Sequence, residues 1–179
     1  RRDGRASLQI TYQRKWGDQY DAGIGAGMSV ESDYLSKSLR ANWGWLSKDE
    51  NRSLSLQAQA YFDTWIVIFP EELRAPGLAS VPTDRRRSFN LAANWGQVIS
   101  PKVQASLGAE LVVQQGLLST PFHRVYFQGE SLPRIEKFPL WRVKYPVGLR
   151  LNWFATDWLV LRSYYRYYFD NFDIRAHTL

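Results

Sequence analysis

Residues 20–31 read Tyr-Asp-Ala-Gly-Ile-Gly-Ala-Gly-Met-Ser-Val-Glu. Tyr20, Ala22, Ile24, Ala26, Met28 and Val30 alternate without a break with Asp21, Gly23, Gly25, Gly27, Ser29 and Glu31. A period of two places successive side chains on opposite faces of an extended chain, so this stretch is a strand with one apolar and one polar face.

The same rhythm runs through the rest of the sequence. It predicts strands over residues 6–16, 20–31, 35–46, 53–65, 87–99, 103–115, 140–154 and 158–169, with a ninth beginning at 176–179. In 103–115, for example, Val103, Ala105, Leu107, Ala109, Leu111 and Val113 oppose Gln104, Ser106, Glu110 and Gln114. Strands of soluble proteins cluster at about 5–6 residues, whereas a tilted strand that crosses a membrane needs about 9–11. These segments match the second length. Pro146 interrupts the seventh strand and cannot donate to a ladder, which predicts a bulge there, eased by Gly148.

The connections alternate in length. Residues 17–19, 47–52, 100–102 and 155–157 are short and turn-like. The intervening ones are 32–33, 66–86, 116–138 and 170–175, and both long ones fall among these. Short periplasmic turns and longer external loops mark outer-membrane barrels. The expected fold is therefore all-β, an antiparallel up-and-down transmembrane β-barrel of a Gram-negative outer membrane, with the 179 residues forming one barrel segment. With short turns periplasmic, both chain ends face outside, so the segment is expected to be an internal portion of a larger barrel.

Alternation by itself also fits a soluble ligand-binding barrel with its apolar side inward. Three features favour lipid on the apolar side. Trp16, Trp43, Trp45, Trp95, Trp153 and Trp158 lie close to short turns, as in an interfacial aromatic girdle. The charges on the apolar face, Arg14 and Lys37, stand near strand ends. The opposite face is Gly, Ser, Asn, Gln and Arg, suited to a wet lumen. Aromatic residues reach 15% of the chain, with eight Trp, ten Tyr and nine Phe.

Several function classes fall away. The longest apolar run, residues 65–69, is far short of the roughly 20 residues of a spanning helix, and mean hydropathy is −0.39. With no cysteine and two histidines, disulfide scaffolds, thiol catalysis and ordinary zinc sites are excluded. The net charge of +6 suits anionic lipid, lipopolysaccharide or nucleic acid. Nucleic-acid binding is disfavoured because most aromatics lie on the uncharged face. Ser119 and Ser163 pair with no histidine and acid in a recognisable way. His123 and His177 lack a second ligand at metal-binding spacing, and a structural hydrogen bond at a loop base is expected for His177. Gly23, Gly25 and Gly27 precede no helix and so form no phosphate loop; they leave room for a close neighbour. Neither enzyme activity nor a cofactor is expected.

Candidate functional residues remain on both surfaces. Arg142, Lys144, Arg150, Arg162 and Arg166 form a basic wall on the lumen face of two neighbouring strands. The wall either attracts anions or forms a salt-bridge network with acids such as Asp63 and Glu110. Arg85, Arg86 and Arg87 end a long external loop, either as a solvated charge run or as a grip on lipopolysaccharide phosphates. Residues 65–69 open the same loop and either dock a partner or fold over the barrel mouth.

The stretch Arg-Ser-Tyr-Tyr-Arg-Tyr-Tyr-Phe-Asp-Asn-Phe-Asp-Ile-Arg-Ala-His-Thr-Leu at 162–179 resembles a signature of the outer-membrane family called domain of unknown function 3570. Ser-Val-Glu-Ser-Asp-Tyr-Leu-Ser at 29–36 is similar to that family's Ser-Glu-x-Asp-Tyr-x-Ser. Residues 95–101, Trp-Gly-Gln-Val-Ile-Ser-Pro, resemble its Thr-Gln-Val-Leu-Ser-Pro turn, with Trp95 and Gly96 where Val-Thr is usual. Residues 116–123, Gly-Leu-Leu-Ser-Thr-Pro-Phe-His, resemble Gly-Tyr-Leu-Ser-Asp-Pro-Tyr-Lys, with Thr120 in the acidic place. The resemblance implies an outer-membrane barrel longer than this chain at both ends. It also implies gene neighbours in periplasmic redox and flavin attachment. The expected function is accordingly a passive pore or a structural, partner-binding component of an envelope complex. A non-conducting scaffold for such a redox system is the alternative.

Overall fold

The structure, a computed structural model, describes residues 4–67, 83–120 and 123–179. Among these residues eleven strands follow one another: β1 (Ala6–Trp16), β2 (Tyr20–Val30), β3 (Tyr34–Leu46), β4 (Arg52–Ile66), β5 (Thr83–Ser100), β6 (Val103–Gly116), β7 (Arg124–Val125), β8 (Arg134–Ile135), β9 (Trp141–Thr156), β10 (Leu159–Asp170) and β11 (Arg175–Thr178). Nine of them make one antiparallel up-and-down sheet in the order β1-β2-β3-β4-β5-β6-β9-β10-β11, and β7 pairs with β8 in a small separate hairpin. There is no helix among the described residues. β1 and β11 are each paired on one side only, so the sheet is open.

The register keeps the alternation in phase from strand to strand. Ile24 opposes Tyr12 and Ala41, Ala41 opposes Ala58, Ala58 opposes Leu91, and Leu91 opposes Leu111. On the other side of the sheet Gly25 opposes Thr11 and Arg40, and Arg40 opposes Gln59. One continuous apolar face and one continuous polar face result.

Register shifts occur at Val98/Ser100 and at Leu159/Val160, both beside short turns. The bulge expected at Pro146 is absent. Ala109–Val147 and Val112–Lys144 keep one alignment across it, and Pro146 still opposes Tyr168 of β10. The β6–β9 ladder lacks only the two pairings opposite Tyr145 and Pro146. Losing one donor removes a hydrogen bond, and it does not require an inserted residue.

No second layer packs on either face among the described residues. Val67, Val143 and Pro146 are the only buried apolar side chains there, while Ile10 is 67% exposed, Leu107 52% and Leu149 49%. Among the described residues the greasy half of the sheet is thus laid open, with no protein core behind it.

The turns are locally built. Between β3 and β4, the Asp49 carboxylate accepts from the Ser47 hydroxyl, from Asn51 Nδ2 (3.0 Å) and from the Asn51 amide (3.3 Å). Glu50 beside it adopts φ 56°. These donors hold the Asp49 carboxyl down at about 2, from the usual 3.8. A depressed folded-state value means that the turn's contribution is complete above about pH 4 and fades as pH falls through 2. A carboxyl NMR titration of Asp49 should therefore give a midpoint near 2, and Ser47→Ala with Asn51→Ala should move it up toward 3.8.

Gly116 closes β6 at φ 100°, and a Cβ there would sit 2.0 Å from the Arg85 carbonyl oxygen. Gly116→Ala should cost about 1–3 kcal/mol in denaturant unfolding. Gly108→Ala, whose Cβ meets nothing closer than 3.4 Å, should stay near wild type.

Candidate functional site

The polar face carries two distinct arrangements. The first lies at the end of the sheet bearing the long connections. Asp63, near the end of β4, has only 3% of its side chain exposed. Its Oδ2 accepts from Arg86 Nε (3.1 Å) and Nη2 (3.0 Å), and its Oδ1 accepts from the Ser36 hydroxyl (2.7 Å). The Arg86 guanidinium lies 5.0 Å from the Trp65 ring centre, and Trp65 packs 4.5 Å from Tyr34.

Asp170, the last residue of β10, is completely buried and pairs with Arg142. Arg142 Nε (2.9 Å) and the Tyr168 hydroxyl (2.6 Å) donate to Oδ2, while the amides of Phe172 (2.9 Å) and Ile174 (3.1 Å) donate to Oδ1. Arg142 also lies 4.7 Å from the Phe172 ring. A buried carboxylate is tolerated only when it is paired and its remaining lone pairs are filled, and both aspartates meet that condition.

The second arrangement is a hollow of about 240 Å³ near the middle of β6, β9 and β10. Gly108 and Gly148 oppose each other across the β6–β9 ladder and leave its floor bare. Arg150, Arg166, Glu110 and Tyr164 stand around it. Arg150 lies over the Tyr164 ring at 5.6 Å. A Cβ on Gly148 would come within 3.1 Å of the Tyr164 hydroxyl, so glycine is what admits that ring.

The five residues of the basic wall all stand on the polar face of β9 and β10, as the register requires. Among the described residues only Arg142 of the five is in an ion pair. Lys144, Arg150, Arg162 and Arg166 have no salt bridge among the described residues, nor has Glu110. Asp63 pairs with Arg86 on β5, outside the wall. The partner of Arg142 is Asp170, which the sequence pattern left in a loop. Its parity was the available signal, because it continues the series Arg162, Tyr164, Arg166, Tyr168.

Arg85, Arg86 and Arg87 depart from the expected position. They are not the end of a loop: β5 starts at Thr83, and its first residues pair with the end of β4. Alternation splits the run. Arg86 turns to the polar face opposite Asp63, while Arg85 and Arg87 stand on the apolar face opposite Thr64 and Phe62. Of residues 65–69, Trp65 and Ile66 end β4, and 68–69 lie outside the described residues.

Five of the six tryptophans expected in the girdle lie on strands and share the apolar face. Trp16, Tyr20, Trp45, Leu54 and Trp95 form one row across β1 to β5, with Trp45 and Trp95 stacked at 6.0 Å. Trp43 stands beside that row on β3, and Trp153 faces Leu161. Trp158 stands in the turn before β10 and is 82% exposed.

Residues 1–179 match the family described as protein of unknown function DUF3570. The chain belongs to that family. No curated protein and no solved structure matches it. In this DUF3570 chain, the segments that resemble the family in sequence supply much of the polar end. Residues 29–36 bring Ser36 to Asp63, and Arg5 Nε donates to Ser29 at 2.9 Å. Residues 162–179 form the β10–β11 hairpin with Asp170 at its bend. His177 is bonded to the Tyr165 hydroxyl at 2.7 Å, within the hairpin and not at the loop base. His123 lies 3.7 Å from Glu136 at an exposed site.

Removing one partner of a buried pair leaves the other charge uncompensated. Asp170→Asn or Asp63→Asn should therefore cost about 3 kcal/mol, at the low end of such losses because each arginine keeps some water. Glu110→Gln, which breaks no ion pair, should change the urea midpoint little.

Proposed function

We propose that this DUF3570 chain forms wall of a β-barrel in a Gram-negative outer membrane. Its apolar face meets acyl chains, and its polar face lines a water-filled passage that favours anions. The observation that carries this reading is the open apolar face: Leu8, Ile24, Leu39, Leu91 and Leu107 are each more than half exposed, on five different strands. Monomeric soluble proteins rarely leave an apolar patch larger than a few hundred Å² in water. A bilayer supplies the phase that such a face needs.

Charge distribution supports the same orientation. No Asp or Glu stands on the apolar face of any strand of the sheet, and the cations there, Arg14, Lys37, Arg52, Arg85, Arg87 and Arg175, cluster toward strand ends. Lys or Arg facing lipid costs about 2–4 kcal/mol at the midplane and about 0–1 near the interfaces. The tryptophan row sits at the short-turn ends, where an amphipathic ring suits the headgroup level.

The passage is given its sign by Lys144, Arg150, Arg162 and Arg166, which are in no ion pair among the described residues. A second reading, a docking component of an envelope complex, draws on Tyr126, Leu132 and Leu140 around the β7–β8 hairpin, exposed at 74%, 62% and 70%.

Two measurements test the proposal. The protein should require detergent and migrate differently on gels when unheated; solubility without detergent and unchanged migration would overturn the membrane reading. In planar bilayers under a salt gradient, the reversal potential should report anion preference. Arg150→Gln, Arg162→Gln and Arg166→Gln together should lower the preference, by about threefold per charge removed. A silent bilayer combined with co-purifying neighbours would favour the docking reading.

A further inference from the structure

We propose that the apolar face of β3, β4 and β5 carries a seat for one phosphorylated, multiply acylated glycolipid of the lipid A class. The inference rests on the membrane placement above. Lys37, Phe62 and Arg87 stand directly opposite one another in consecutive ladders. Two interstrand spacings put the two cations about 10 Å apart, and Arg85 stands on the same face about 7 Å further along β5. All three are exposed, and none has an ion pair or a side-chain hydrogen bond among the described residues. Arg86 between them is neutralised by Asp63 on the other face. Among the described residues nothing compensates these three positive charges, on a face whose strands carry no carboxylate.

The adjoining rows toward the middle of the sheet are Leu39–Ala60–Phe89 and Ala41–Ala58–Leu91. Three alanines between larger side chains leave a depression of about 400 Å³, directly beneath the cations. Phe89 lines it, and Phe62, in the row of the cations, meets Phe89 edge to face at 6.1 Å. The level is right for a headgroup. The cation row lies eight residues along β5 from Trp95, about 27 Å along the strand and about 20 Å along the membrane normal at the tilt of barrel strands. The tryptophans and the cations therefore bracket the apolar band, with the cations on the side of the long connections.

The ligand's chemistry follows from this layout. Guanidinium groups hold phosphate through paired, charge-assisted hydrogen bonds. Three cations spread over about 10 by 7 Å fit two phosphates on one headgroup better than one. The depression beneath them takes acyl chain. A diphosphorylated glucosamine disaccharide with several chains supplies both parts, whereas a phospholipid with one phosphate engages only part of the set.

The test is native mass spectrometry of the full chain in detergent, titrated with purified lipid A, dephosphorylated lipid A or phosphatidylglycerol. Lipid A should bind at least about tenfold more tightly than either of the others. Lys37→Gln with Arg85→Gln and Arg87→Gln should abolish that advantage. Ala58→Phe with Ala60→Phe, which fills the depression, should weaken lipid A binding with the cations intact. Arg14→Gln with Arg52→Gln, at the other end of the same face, should leave it unchanged. Equal binding of phosphatidylglycerol or of the dephosphorylated lipid, or full binding by the triple variant, would overturn the seat. Heat-dependent migration of the same samples is read in parallel. Its loss in the wild type sinks the membrane reading, and its retention alongside unselective binding sinks the seat alone.

Discussion

Everything in this sheet depends on register. Side chains alternate with a period of two, so a slip of one residue in any ladder would carry a whole strand's apolar set to the polar face. The two irregularities fall beside short turns, at Val98/Ser100 and Leu159/Val160, and the long central parts of the strands stay aligned. Pro146 shows how tightly alignment is held. The chain gives up the hydrogen bond there and keeps the register, so Arg142, Lys144 and Arg150 stay on one face on both sides of the proline.

That alignment sorts charge as well as grease. The carboxylates of the sheet are confined to the polar face, where Asp63 and Asp170 are buried only because each has an arginine and several other donors around it. The run Arg85-Arg86-Arg87 displays the sorting within three residues. Arg86 completes a buried pair, while its neighbours on each side stand on the apolar face. Identical side chains thus acquire opposite environments from parity alone. The pairs also tie distant parts of the chain together: Arg142 and Asp170 join the start of β9 to the end of β10, and the backbone of residues 171–174 is drawn in around the same carboxylate.

The strands were legible because alternation over ten or more residues has few competing explanations. The two faces followed from parity, and so did the common surface of the five basic-wall residues. What escaped was whatever alternation does not encode. Three consecutive arginines read as a hydrophilic run, and only the pairing of Thr83 to Arg87 with Phe62 to Ile66 makes them strand. β7 and β8, two residues each, carry no period at all. The partner of Arg142 lies 28 positions away, at the terminal residue of another strand. Proline's missing donor was visible, but its consequence depended on whether the neighbouring strand would shift, and a ladder anchored on both sides does not.

A sheet with no core behind its apolar face raises a question about its edges. Each strand edge presents a row of unpaired amides and carbonyls, and in water such edges invite further pairing. In hydrocarbon the constraint is harder, since each unsatisfied backbone group costs several kcal/mol, and closed barrels are the β-structures that escape it. β1 and β11 are both exposed along their length. The membrane reading therefore carries a structural demand of its own: these two edges need hydrogen-bonding partners within the bilayer. The strands that meet this demand fix the width of the passage. They also decide whether the basic residues Lys144, Arg150, Arg162 and Arg166 on β9 and β10 face open water or an opposing wall.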